Sequence, residues 1–155
     1  MTTKTIKVKD YLHINEEYKA KTAITPGMVV ELTSDDNVQA HSGAGKSALI
    51  MIALEDDLQG KGIDDAYAAE DPVQVWIPQR GDIANMLLKD GEDISIGDFL
   101  ESAGTGYLQK HVADTESAGV TTVYTNQIIG QAIEAVDMSG SSAADPTGRI
   151  KVRII

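Results

Sequence analysis

His41 and His111 are the first candidates for chemistry, since they stand 70 positions apart in two segments of similar sequence. A neutral imidazole can transfer a proton near neutral pH or bind a transition metal. If the two segments pack about a pseudo-twofold axis, the imidazoles could face each other. Two imidazoles without a third ligand make a weak metal site, and the chain has no cysteine to complete one. We therefore expect both to be polar residues at strand ends, with no metal and no other cofactor.

Residues 42–47 (SGAGKS) imitate the end of a phosphate-binding loop. The first glycine of that motif would fall at Ala40, and residues 48–52 (ALIMI) read as a strand, whereas the motif requires a helix there. The sequence therefore predicts a flexible hairpin connection instead of a nucleotide site.

Acidic residues are abundant, but their pattern is not catalytic. A general acid needs surroundings that raise its pKa, and the sequence shows none. Residues 90–93 (DGED) lack the spacing of oxygen ligands in a calcium loop. Residues 80–82 (RGD) spell an adhesion tripeptide, but a motif this short arises often by chance, and the prediction is a turn.

Strands are the elements that must position these residues. Residues 5–9, 73–77 and 150–154 alternate apolar with polar side chains, as half-buried strands do. Turn signals recur about every ten residues, the spacing of a sandwich or small barrel. A short helical segment is expected only at residues 64–70. The sequence thus predicts an all-β fold with at most one or two short helices, in a small β-barrel-like or sandwich-like body. Shorter candidate strands lie at residues 28–32, 48–54, 85–88, 98–101 and 128–135.

The chain also contains an internal repeat. Residues 24–41 align without a gap on residues 94–111, with identities at Ile24/Ile94, Gly27/Gly97, Glu31/Glu101, Gln39/Gln109 and His41/His111. Weaker similarity links residues 53–55 to 132–134 and 73–77 to 150–154. The alternative is that any two hairpins resemble each other, because all need glycine at turns and β-branched residues in strands. We expect one domain, residues 23–155, with repeat units of approximately 24–78 and 94–155, preceded by an extended N-terminal arm, residues 1–22.

Composition excludes several classes of protein. With no cysteine, disulfide scaffolds and thiol catalysis are ruled out. No run of 18 apolar residues and no basic-then-apolar leader is present, so we expect neither a membrane span nor a signal peptide, and no membrane partner. The net charge is -11, although residues 1–21 carry five lysines against three acids. The strongly acidic remainder should repel nucleic acid.

Binding residues are expected mainly in the arm. Its alternating segment either covers the domain's own sheet edge or adds a strand to another protein. Trp76 is expected in the core more often than at an interface, and with Pro78 it is the candidate oligomer contact. The loops 113–120 and 139–148 are poor in apolar anchors and could be ordered by a partner. The candidate arm contacts are Lys4, Thr5, Ile6, Lys7, Val8, Lys9 and Tyr11.

Three stretches together resemble the head decoration, or capsid cement, proteins of tailed bacteriophages. They are ALEDDLQGKGIDDAYAAEDPVQVWIPQRGD (residues 53–82), LLKDGEDISIGDFLESAGTGYLQKH (87–111) and GQAIEAVDMS (130–139). The similarity covers most of the chain from about Ile24 onward, and the first twenty residues match least. Its motifs are turns and strand ends, which are moderately specific together and weak singly.

The resemblance implies a non-enzymatic structural protein, made in the bacterial host cytoplasm and located on the outer capsid surface of the virion. Its partner would be the major capsid protein, which it would bind often as a homotrimer and stabilise against the pressure of packaged DNA. One alternative is a small enzyme on a duplicated β-barrel that uses His41, His111 and nearby acids. Another is a carrier domain of the lipoyl or biotinyl type, but Lys46 and Lys89 lack the neighbours of a modified lysine.

Overall fold

A computed structural model describes residues 3–12, 14–114, 119, 122–140 and 148–155. Within these residues the protein is almost entirely β-structure, which confirms the predicted all-β class. One 3₁₀ turn, Asp57–Gln59, is the sole helical element of the described part. The strands are β1 (Lys7–Lys9), β2 (Asn15–Ala20), β3 (Val30–Leu32), β4 (Asn37–Ala40), β5 (Ile52–Ala53), β6 (Pro72–Trp76), β7 (Ile83–Leu87), β8 (Asp93–Ile94), β9 (Phe99–Ser102), β10 (Leu108–Lys110), β11 (Ile128–Ala132), β12 (Val136–Asp137) and β13 (Arg149–Ile154).

The strands form three sheets. One has six strands in the order β1-β7-β13-β11-β9-β10, one has five in the order β3-β4-β2-β6-β5, and β12 pairs with β8. The sequence predicted a barrel-like or sandwich-like body, and the described part contains no closed barrel. The nearest approach is in the five-stranded sheet, where an isolated bridge between Val29 and Ile52 brings its two edges together. The edge strand at this point is β5, which has only two residues, so the pairing that would close the sheet is short.

The N-terminal segment is not the independent arm that the sequence suggested for residues 1–22. β2 lies inside the five-stranded sheet, antiparallel to β6 and parallel to β4. β1 lies at the edge of the six-stranded sheet, antiparallel to β7. Ile6 is fully buried in the main core cluster, and Ala20 is fully buried in the second cluster. The segment therefore contributes one strand to each sheet, and Ile6 and Ala20 each place an apolar side chain in one of the two cores.

The repeated hairpins have the same register. Glu31 pairs with Gln39 across β3 and β4, and Glu101 pairs with Gln109 across β9 and β10. In each hairpin the glutamine side chain also donates to the glutamate, over 2.8 Å in the first and 2.9 Å in the second. The sequence identity at these columns therefore corresponds to one local geometry that occurs twice.

The match extends beyond the hairpins. Ala53 pairs with Val75 in β5 and β6, and Ala132 pairs with Val152 in β11 and β13. The parallel pairing of Ala20 with Val38 has its counterpart in the parallel bridge between Leu88 and Leu108. The halves 15–77 and 83–155 thus share one pattern of strand pairing. β2 and β7 are its matching first strands, and both lie outside the repeat units expected at 24–78 and 94–155.

Two further expectations concern residues around the core. Trp76 is fully buried in the main cluster, as expected for a lone tryptophan in an alternating strand. Residues 64–70 form turns and an isolated bridge instead of a helix, because Tyr67 is pulled into the second cluster and pairs with Ile24. None of the described residues belongs to a helix long and apolar enough to cross a membrane.

Candidate interaction surfaces and buried polar clusters

His41 joins the two halves of the chain from a buried position. Its Nδ1 atom lies 2.7 Å from Oγ of Ser102, and its Nε2 atom lies 3.1 Å from the carbonyl oxygen of Ser47. The Glu31 carboxylate is 3.7 Å from the imidazole, which completes a serine–histidine–acid set. Ser102 is 0 % exposed, however, and its hydroxyl accepts the Gly104 amide. A nucleophile must reach its substrate, so this geometry supports a structural junction.

His111 has a different set of partners. Its Nδ1 atom lies 2.6 Å from Oε2 of Glu101, whose other oxygen accepts the Gln109 side chain. The matching carboxylate, Glu31, has a lowered pKa: burial alone would raise it, but hydrogen bonds from Gln39 and Ser42 outweigh burial. The expected role of both histidines as polar residues at strand ends agrees with these contacts. Among the described residues, no group of three or more histidine and acidic side chains is arranged to hold a metal ion.

The loop that imitates a phosphate-binding motif packs against the second half instead. The Gly45 amide donates to the Ser102 carbonyl over 2.8 Å, and its own carbonyl accepts the Gln127 side chain over 2.7 Å. Ala44 lies against Gly104, so closely that a Cβ on Gly104 would be 2.7 Å from the Ala44 nitrogen. The backbone groups that would cradle a phosphate are thus partly engaged within the chain.

The Arg80-Gly81-Asp82 tripeptide forms a turn, as predicted. Asp82 is fully buried, and its carboxylate accepts the amides of Tyr11 over 2.9 Å and Gln79 over 2.7 Å. Gly81 has a φ of +98°, a conformation that favours glycine. The aspartate is therefore unavailable to an adhesion receptor, and it fixes the N-terminal segment to the turn.

The proposed arm contacts divide into buried and exposed groups. Ile6 cannot contact a partner because its side chain lies in the core, while its amide donates to both Glu55 carboxylate oxygens over 3.2 Å. Thr5 donates to the same carboxylate, and Lys7 donates to Asn15. The exposed members are Lys4, Thr5, Val8, Lys9 and Tyr11, and Lys7 is partly buried.

Trp76 does not form an accessible oligomer contact. Its side chain is fully buried, and the Lys7 ammonium lies 5.2 Å from the centre of its ring. An interface through Trp76 would require the protein to open, so this expectation is corrected. Pro78 is buried as well, but it borders a surface groove. The predicted loops 113–120 and 139–148 lie mostly outside the described residues.

An apolar groove that the sequence did not reveal lies where β6, β11 and β13 meet the connection between β4 and β5. It has a volume of about 260 Å³. Its residues come from four distant parts of the chain, so no local pattern announces it. The one sequence signal is the unbroken apolar run 48–52, in which some side chains must face outward. The groove is lined by Leu49, Ile50, Ile77, Pro78, Ile128 and Ile155.

One solved structure with a similar fold is the N base of the head fiber protein gp8.5 of bacteriophage phi29. The superposition has a TM-score of 0.55 and 12 % sequence identity, and it covers 93 % of this chain and 95 % of that chain. At this identity the likeness shows the fold alone. No protein-family model matches the sequence, and no curated protein matches it.

Proposed function

We propose that this protein is a non-enzymatic structural component of a tailed-phage head, bound to the outer surface of the assembled capsid. The observation that carries the proposal is the fold shared with the phi29 head fiber base over nearly the whole of both chains. The sequence resemblance to capsid decoration proteins rests on separate grounds, namely turn and strand-end motifs, and it points to the same class of protein.

The polar clusters support the proposal. Two described groups most resemble catalytic machinery, and both have structural contacts: His41 with Ser102 joins the two halves, and His111 with Glu101 links neighbouring strand ends within the second half. A decoration protein needs a rigid body and an accessible surface, and it gains affinity by engaging several sites at once. In this proposal the partner is the major capsid protein, the bound form is a homotrimer, and the protein stabilises the shell against the pressure of packaged DNA.

The N-terminal segment is part of the proposed contact, but as a fixed element of the body. Its buried Ile6 and the clamp from Asp82 hold the exposed Lys9 and Tyr11 in place. Because the backbone of this segment is already ordered, little backbone entropy remains to be lost on binding.

Sedimentation with expanded, DNA-free capsids of the encoding phage tests the proposal. We expect the protein to pellet with these shells and to saturate them at a fixed ratio to the major capsid protein, in multiples of three. Decorated shells should also resist heat-induced disruption better than bare shells, because the protein binds the intact form. Absence of binding at saturating protein concentration, or enrichment in cells without any virus particle, would reject the proposal.

A further inference from the structure

Exposed apolar side chains gather at the groove end of the molecule. Leu49 is 73 % exposed on the groove wall, and Tyr11 is 62 % exposed nearby. Gly81 links Tyr11 to the groove. A Cβ on Gly81 would lie 3.9 Å from the Tyr11 ring, and the Gly81 amide donates to the carbonyl of Ile154, the neighbour of the groove residue Ile155. Ile14 adjoins the groove as well, since its carbonyl accepts the Ile77 amide. Exposed apolar side chains gathered in this way are typical of an interaction site.

Cations border this surface although the whole chain carries a net charge of -11. Lys9 and Arg153 both pair with Ile83, from the strands on either side of β7, so the two cations lie at the same level of the six-stranded sheet. Arg80 lies in the turn that leaves Pro78. Arg80 and Arg153 are exposed, and neither forms an ion pair with a carboxylate of the described residues. Asp82, the acid closest in sequence to Arg80, is buried and already hydrogen-bonded.

We infer that this corner binds a protein surface on which an apolar side chain is surrounded by carboxylates. The apolar side chain enters the groove beside Leu49, while the carboxylates meet Lys9, Arg80 and Arg153. The inference rests on the proposed function and deepens it, because it assigns the contact with the capsid shell to this corner and states the chemistry of the shell residues.

The charges favour such a partner over a symmetric contact between two copies of the chain. A twofold interface brings the same patch of each copy together, and it would place these cations against one another. An acidic partner removes that repulsion and also speeds encounter, because opposite charges steer diffusion. The apolar groove then provides the contact from which water is excluded.

The test compares two groove-corner variants with two matched controls in binding to immobilised DNA-free capsids. Leu49→Asp places a charge in the groove, and its control, Leu58→Asp, changes a residue that is 88 % exposed in the Asp57–Gln59 turn. The double variant Arg80→Glu/Arg153→Glu removes the corner cations. Its control, Lys21→Glu/Lys61→Glu, makes the same change in net charge with two lysines that do not line the groove.

We expect Leu49→Asp to weaken capsid binding at least tenfold. The arginine double variant should lower the association rate about tenfold at low salt, with the difference shrinking as salt screens the charges. Both controls should bind like the wild-type protein, and circular dichroism should show all five proteins folded.

Three results would overturn the inference. If the wild-type protein binds the capsids and both corner variants bind equally well, this corner is rejected as the contact, while the proposed function stays intact. A change in the mass of the free protein in Leu49→Asp, measured by sedimentation, would show that a second copy occupies the groove. Failure of the wild-type protein to bind would reject the proposed function and this contact together.

Discussion

The imidazole of His41 lies 2.7 Å from the hydroxyl of Ser102, so one hydrogen bond spans the two halves of the chain. Removing the ring leaves the buried Ser102 hydroxyl without this partner, and it also removes the partly buried contact with the Ser47 carbonyl. We expect His41→Ala to lower the free energy of unfolding by about 2–3 kcal/mol, measured as a shift of the urea midpoint at constant m-value.

His111→Ala is the control for this prediction. That side chain is partly exposed, and its removal opens Glu101 to water, so the expected cost is about 1 kcal/mol or less. Equal costs for the two variants would contradict the role assigned to His41.

Ile6 makes the N-terminal segment part of the fold. Because its side chain is fully buried in the main cluster, Ile6→Ala should destabilise the protein by about 2–4 kcal/mol in urea unfolding. Val8→Ala changes a residue in the adjoining strand β1 that is 38 % exposed, and it should cost less than about 0.5 kcal/mol. If Ile6→Ala were also neutral, the segment would be a detachable arm after all.

Gly130 lies where β11 and β13 approach closely. A Cβ at this position would lie 2.5 Å from the Arg153 carbonyl oxygen and would also overlap the Val152 side chain. Gly130→Ala should therefore cost about 1–3 kcal/mol through overpacking and lower the melting temperature. Gly140→Ala is the matched control, since nothing lies within 4 Å of its Cβ, and we expect a change within about 0.5 kcal/mol. Similar melting temperatures for the two variants would argue against the tight approach of β11 and β13.

Tyr67 should make stability sensitive to alkaline pH. Burial raises the pKa of its hydroxyl from 10.0 to about 12, and the hydroxyl donates to the Leu54 carbonyl over 2.9 Å. Between these two values the unfolded chain loses this proton first, so the unfolded state binds fewer protons and stability falls as pH rises. The contribution is complete below pH 10 and is lost by about pH 12.

The Tyr67→Phe variant isolates this effect. It should be less stable than wild type by about 1 kcal/mol at pH 8, because the hydrogen bond is lost. The difference should shrink as urea unfolding is repeated at increasing pH above 10. If the difference in stability between the two proteins stays constant above pH 10, the Tyr67 hydroxyl does not cause the loss of stability at alkaline pH.

Local sequence patterns predicted the strands that have one apolar face and one polar face. Residues 73–77 and 150–154 alternate clearly, and they form β6 and β13 nearly at the expected bounds. β2 was missed because its sequence NEEYKA is polar, and of its six residues only Ala20 is buried. Its place in the sheet is set by backbone pairing with β4 and β6, which leaves no apolar signature. β8 and β12, of two residues each, are too short for any periodicity.

The candidate sites show a similar division. The repeat identified the columns of Glu31, Gln39 and His41, and the structure shows these side chains in contact. Sequence could not show that Ser102 would be the partner of His41, since the two residues meet only through the packing of one half on the other. The groove was missed for the same reason, because Leu49, Ile128 and Ile155 come together only in the folded chain.

The position of β13 has a consequence for how the protein is made. β13 lies between β7 and β11 in the six-stranded sheet, although it is synthesised after both of them. Residues 15–77 can form their own pairings early in synthesis, whereas β7 must wait for residues 149–154. Until then its partner edge is exposed, and such edges promote association between nascent chains. The second half should therefore complete its folding after the first, at a rate limited by a contact between distant parts of the sequence.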